Sequence, residues 1–177
     1  DLDPVNLKNN IIALAKLGKI FKLPVVLTTS GVNATPNGAL LAELVQMYPD
    51  NEIIDRTHVN SWHDPVFVKA VEKTGRKKLI MAGISTDVCL AFPAISAVKA
   101  GYDVFAVIDA SATWDPVTEH AAMLRMSAAG VKVVNWVAAA AELQRDWALP
   151  TAGEFGMHLG TAMGGYSLLA QYYYSRQ

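Results

Sequence analysis

Lys78-Leu79-Ile80-Met81-Ala82-Gly83-Ile84 is the stretch whose reading decides the fold. It is a short apolar run with one charge at its start, the pattern of a strand covered on both faces. Strands of that kind belong to parallel sheets, because right-handed crossovers lay helices on either side. The flanking sequence repeats the motif. Upstream, Leu7, Ile11, Leu14, Ala15 and Leu17 recur at helical spacing between Val5 and Ile20. Leu23 to Thr29 is then a β-branched run with Pro24 at its edge, Leu40 to Met47 a helix, Glu52 to Asp55 a short strand, and Asp64-Pro65 opens a helix closed by Gly75. Downstream come a helix from about Asp87 to Ala100, strand Val104 to Asp109, helix Asp115 to Ala129, strand Val131 to Trp136 and helix Val137 to Trp147. Strands alternating with helices predict a three-layer α/β/α, Rossmann-like parallel sheet.

The composition fits one such domain. The chain has 177 residues, of which 18% are charged and 52% hydrophobic, with a net charge of −1. That charge gives no field for gathering phosphates, which argues against nucleic acid and anionic membranes as partners. No apolar run reaches the ~18 residues of a bilayer span. One cysteine forms no internal disulfide, so a reducing, cytoplasmic setting is expected. Residues 1–150 read as the domain. Residues 151–177, with five glycines and Tyr172-Tyr173-Tyr174, read as an arm that packs on another subunit.

In an open parallel sheet the site lies at the carboxyl ends of the strands. Four loops qualify: Ser30 to Gly38, Arg56 to His63, Ile84 to Cys89 and Asp109 to Trp114. Only one holds a potent nucleophile. Cys89 falls near the start of the helix after the strongest strand, where free N–H groups and the helix dipole favour a thiolate and could hold an oxyanion. The plainer alternative is a small buried residue packing helix on sheet.

Gly83-Ile84-Ser85-Thr86-Asp87-Val88-Cys89 resembles the nucleophile loop of the isochorismatase-like cysteine hydrolases. The likeness extends to Leu90 through Ala97, Thr74 through Lys78, Trp62-His63-Asp64, Leu27 through Ser30, Pro36-Asn37-Gly38, Asp109-Ala110-Ser111 and Glu142 through Trp147, which point to the YcaC-like branch. The resemblance runs from about Asp3 to Trp147. It implies a six-stranded sheet and a Cys–Asp–Lys/Arg triad acting on a small amide-like carbonyl through a thioester. Cys89 matches the nucleophile and Arg56 the basic member, a permanent cation that stabilises charge but carries no proton. A cis peptide is implied between Ile84 and Ser85, with the Ser85 and Cys89 amides as oxyanion hole. Ser85, Asn60, Trp62 and Ser30 are the binding candidates for a small-molecule substrate.

The family's carboxylate ends its first strand, and neither Asp1 nor Asp3 matches it. A base upstream of this chain, and a sheet lacking that strand, are therefore expected. Without the acid, the rival is an inactive oligomeric scaffold on the same fold. The branch implies a homo-oligomer, with an octamer as the candidate size. No cofactor is expected: there is no Gly-rich phosphate loop after a strand, and His58 and His63 have no companion ligands in sequence for a metal.

Overall fold

The computed structural model describes residues 3–176; Asp1, set aside above as a candidate acid, lies outside them. Helix α1 (Pro4–Ile20) starts where expected: the Asp3 carboxylate accepts the Val5 N–H at 2.9 Å and Pro4 needs no amide partner. Strand β1 (Leu27–Ser30) follows, then α2 (Ala42–Met47) and β2 (Ile53–Arg56). A single tight turn, Ser61–His63, leads into α3 (Pro65–Lys73), whose first amides are capped by Asp64. Gly75 ends it with φ +67°, a left-handed conformation that suits glycine. Then come β3 (Lys78–Met81), α4 (Ala91–Lys99), β4 (Asp103–Val107), α5 (Pro116–Ala128), β5 (Lys132–Val134) and α6 (Trp136–Gln144).

All pairings are parallel, and every strand expected from the sequence is present. The ladder, however, is divided. β1 pairs only with β2, while β3, β4 and β5 form a second sheet, with no pairing between β1 and β3. Two helical layers bridge the division. On one face α1 and α6 pack around Leu17, Val107, Trp136 and Ala140, with Ile80 of β3 against them. On the other, α4 and α5 cover Val104 and Ala106, and α3 joins Val26 and Ile54 to Leu79 through Phe67 and Val71. Polar ties reinforce this: the Tyr48 hydroxyl after α2 donates to Ala15 O at 2.5 Å, and Asn51 donates to Val25 O at 2.6 Å.

Residues after 150, read from the sequence as an arm, are helical. They form α7 (Ala152–Ala162) and α8 (Gly164–Tyr174). Helical glycine costs roughly 1 kcal/mol against alanine. Packing offsets it here, because Phe155 and Leu159 are buried in the same core as α1 and Phe155 stacks on Trp147. His158 is buried with them, its Nε2 2.9 Å from Ala13 O, and burial holds its pKa below the ordinary value. The core therefore continues past residue 150. α8 rests on α7 through Met163 and Tyr166, leaving Leu168, Leu169 and Tyr172 exposed. Among the described residues no helix is long and apolar enough to cross a membrane.

Candidate active site

Cys89 does not sit in the first turn of an α-helix. It is the fourth residue of a wider π-type turn, Thr86–Leu90, that precedes α4. Leu90 N–H donates to Ser85 O at 3.1 Å, across five residues. Such widened turns concentrate at functional sites, since the extra residue moves one side chain out of helical register. The thiol is partly buried and accepts or donates no hydrogen bond among the described residues. The Ile84–Ser85 peptide is cis, where the resemblance put it, and Ser85 is buried.

Two residues after β4 hold this loop. The Ser111 hydroxyl accepts the Gly83 N–H at 3.1 Å and donates to Val107 O at 2.7 Å. Ala112 O receives both the Thr86 N–H at 2.7 Å and the Thr86 hydroxyl at 2.9 Å. Gly83 is in close contact with the turn: a Cβ there would lie 3.1 Å from Cys89 O and 3.2 Å from its carbonyl carbon. Ser111, Thr86 and Gly83 lie in stretches that resemble the family, yet the contacts they make join segments 28 and 26 residues apart that no local pattern links.

Arg56 ends β2 and is only 5% exposed. Its Nη1 donates to the carbonyls of His58 and of Val59, the latter at 3.0 Å, while Nε is buried without a partner among the described residues. Ser30 stands opposite Arg56 in the β1–β2 register, and its carbonyl accepts from Thr35 and Asn37 of its own loop. Asp55, next to Arg56, accepts the Thr29 hydroxyl at 2.7 Å and the Val32 N–H at 3.1 Å; these bonds hold its carboxyl below the ordinary range.

Asn60 is buried, accepts the Trp62 N–H, and donates to Ser96 Oγ of α4 at 3.0 Å. It thereby ties the Arg56 loop to the helix that continues from the Cys89 turn. Trp62 lines a cavity away from the Cys89 turn. Its indole packs edge-on to Phe67 at 6.1 Å and to Tyr102 at 5.3 Å, filling the joint between α3 and β4. The cavity it borders, about 360 Å³, is lined by Arg76, Lys77 and Ala100, from the turns entering β3 and β4 at the strands' amino ends, rather than by the Cys89 turn. His58 contacts Asp64 and His63 contacts Asn60, so the two histidines are engaged separately. Among the described residues no group of three or more His, Cys, Asp or Glu could hold a metal ion.

Asp109, beyond β4, is a half-buried carboxylate at this end of the sheet, as is Asp87 in the Cys89 turn, whose Oδ1 is buried without a partner among the described residues. Burial raises the pKa of Asp109, opposed by the Trp136 N–H that it accepts at 2.8 Å. That bond commits it to the start of α6.

A family model, the isochorismatase domain, matches residues 5–138. The chain belongs to the isochorismatase family. Its similarity to a probable hydrolase, YcaC of Escherichia coli K12, is 49% identity over 148 residues, covering 83% of this chain and 71% of that protein. Two solved structures agree. YcaC from Pseudomonas aeruginosa, solved with hexane-2,5-diol and covalent acrylamide, superposes with a TM-score of 0.92 at 46% identity, over 98% of this chain and 85% of that one. The YcaC gene product of Escherichia coli, described as an octameric hydrolase of unknown specificity, gives 0.93 at 44% identity, over 100% and 86%. These relatives place the chain in the YcaC-like branch.

Proposed function

We propose that the protein is a cysteine hydrolase that cleaves a small amide-like or related carbonyl substrate, with Cys89 as nucleophile. The observation that carries the reading is the position of Cys89, the sole cysteine, in a widened turn at the carboxyl end of β3, held by the β4 loop and followed by the helix tied to the Arg56 loop. The covalent acrylamide of the Pseudomonas relative supports it, since acrylamide is an electrophile that thiols take up.

In this reading the Cys89 sulfur attacks the carbonyl carbon and the carbonyl oxygen becomes an oxyanion facing the Ser85 and Cys89 amides. Arg56 supplies fixed positive charge to the site. The C–N bond breaks, the amine leaves with the proton that the thiol gave up, and a thioester remains. Water then adds its hydroxyl to the acyl carbon and its proton to sulfur, releasing the acid and regenerating the thiol. Ser30, at the end of β1, and Asn60, in the Arg56 loop, border the substrate; Trp62 packs on Phe67 and Tyr102 beside Asn60. No carboxylate among the described residues hydrogen-bonds the thiol, so the proton carrier is not assigned to any of them.

The exposed apolar face of α8 and the octameric relative support self-association, with an octamer as the proposed size. The uncrossed cysteine and absence of a spanning helix among the described residues fit the cytoplasm as the site of action.

The test uses p-nitrophenyl acetate and a panel of small amides. The wild-type protein should release nitrophenol in a burst equivalent to its Cys89 content, and Cys89→Ser should show neither burst nor amide turnover. Turnover surviving in Cys89→Ser would reject the mechanism. A protein with no turnover on the panel and an inert Cys89 would support the rival reading, an oligomeric scaffold, for which the pinned Arg56 guanidinium is the favouring observation.

A further inference from the structure

We infer that Ser111 is a positioning residue for the Cys89 nucleophile, an inference that rests on the reading of Cys89 given above. The β3–β4 ladder ends at Met81 opposite Ala106. Two residues further on, the Gly83 amide has left the reach of a neighbouring strand's carbonyls, and an unpaired amide there would carry a desolvation cost. Ser111 supplies the missing rung. Its side chain is fully buried, with the hydroxyl accepting from Gly83 and donating to Val107 O at the end of β4. A hydroxyl has a single hydrogen to donate, and here it is committed to Val107 O, so the oxygen's lone pairs face Gly83.

The link continues to Cys89 by contact. Gly83 lies so near the Cys89 carbonyl that even a methyl group would be tight, so a shift of Gly83 is transmitted to the backbone of the nucleophile. Ala112, the next residue, grips Thr86 with two hydrogen bonds. Residues 111 and 112 thus hold 83 and 86, the two flanks of Ile84–Ser85, and the Ser85 amide belongs to the proposed oxyanion hole. Ser111 itself touches neither sulfur nor substrate; it acts by fixing where the turn sits.

The experiment compares Ser111→Ala, Ser111→Thr and Thr151→Ala, using p-nitrophenyl acetate as the probe. Thr151 donates to Gln144 Oε1 at 2.7 Å, in the segment between α6 and α7, and serves as a control that removes a hydroxyl outside the site. Ser111→Ala should lower kcat roughly 10–100-fold with KM nearly unchanged, as expected when a reacting group is misplaced by a fraction of an ångström to an ångström. Ser111→Thr, which keeps the hydroxyl, should recover most of kcat, and Thr151→Ala should lower thermal stability without changing either constant. Equal kinetics for Ser111→Ala and Thr151→Ala would overturn the proposal. So would Ser111→Thr falling as far as Ser111→Ala. Should Ser111→Ala fail to fold, Ser111→Thr decides: wild-type kinetics support the role and a kcat loss overturns it. The two readings fail separately. Turnover surviving in Cys89→Ser removes the nucleophile itself, whereas a dead Cys89→Ser with an unaffected Ser111→Ala removes only the positioning role.

Discussion

The β1–β2 pair and the β3–β4–β5 sheet hold their strands together by different means. β4 is buried at four consecutive positions, Val104 to Val107, and the residues of α4 and α5 that cover one of its faces, Ala91, Ala94, Ala97 and Met126, are themselves completely covered. Small alanines let α4 lie close on the sheet, and dispersion over many short contacts does the rest. β2 alternates instead, with Ile53 and Asp55 exposed and Ile54 and Arg56 buried. Side-chain hydrogen bonds supplement its backbone ladder: Thr28 Oγ1 donates to Ile54 O at 2.7 Å and Thr29 bonds Asp55. The nucleophile turn hangs from the densely packed sheet and the arginine from the polar one. A group that must be placed to a fraction of an ångström is thus carried by the part of the molecule with the least room to move. A fixed charge, whose field falls off gradually with distance, tolerates the looser support.

Unequal packing should show first in cavity variants. Leu90→Ala, next to the nucleophile and fully buried, should cost about 2–5 kcal/mol in urea unfolding, and Ile54→Ala should fall at the low end of that range or beneath it, because its cluster is smaller and partly open. Equal losses would erase the distinction between the halves. Next in size is Gly83→Ala. The added methyl would lie 3.1 Å from Cys89 O, so a cost of about 1–3 kcal/mol and loss of the nitrophenol burst are expected. A normal burst would show that the turn yields more easily than its packing implies. The smallest effect concerns acid. The Asp55 carboxyl has a lowered pKa in the fold, so its contribution is complete above the ordinary carboxylate pKa of ~3.9 and is lost as pH falls through the lower folded value. Asp55→Asn should therefore flatten the acid limb of the wild-type stability curve below about pH 4, and an unchanged limb would assign acid sensitivity elsewhere.

Much of this layout was legible in the residues. Each strand and each crossover helix follows from apolar periodicity, and Asp3, Asp64 and Asp115 mark helix starts with side chains that do cap them. The Cys89 loop and its cis peptide followed from the resemblance. What escaped depended on contacts between distant segments. The division between β1 and β3 concerns pairing, which no single strand's pattern encodes. Trp62 does line a pocket, but one bordered by the turns that enter β3 and β4, because its ring packs against Phe67 and Tyr102. The helices after residue 150 were hidden by their glycines, whose weak propensity is overruled by burial of Phe155 and Leu159. Ser111 was quoted in a motif, but its use as a rung past the end of a ladder requires knowing which strands adjoin.

Helix α1 gathers segments from far along the chain: Tyr48 near β2, the turn after β4 where Asn10 donates to Asp109 O, and α7 through Ala13 and His158. Its last two partners lie 99 and 145 residues further along the chain. On the ribosome, at roughly 5–20 residues per second, the helix therefore waits many seconds after its own synthesis for the segments that fix it. Until they arrive it is a marginal, amphipathic peptide with an uncovered apolar face. The element that unites the native protein is, during translation, the one most in need of a chaperone.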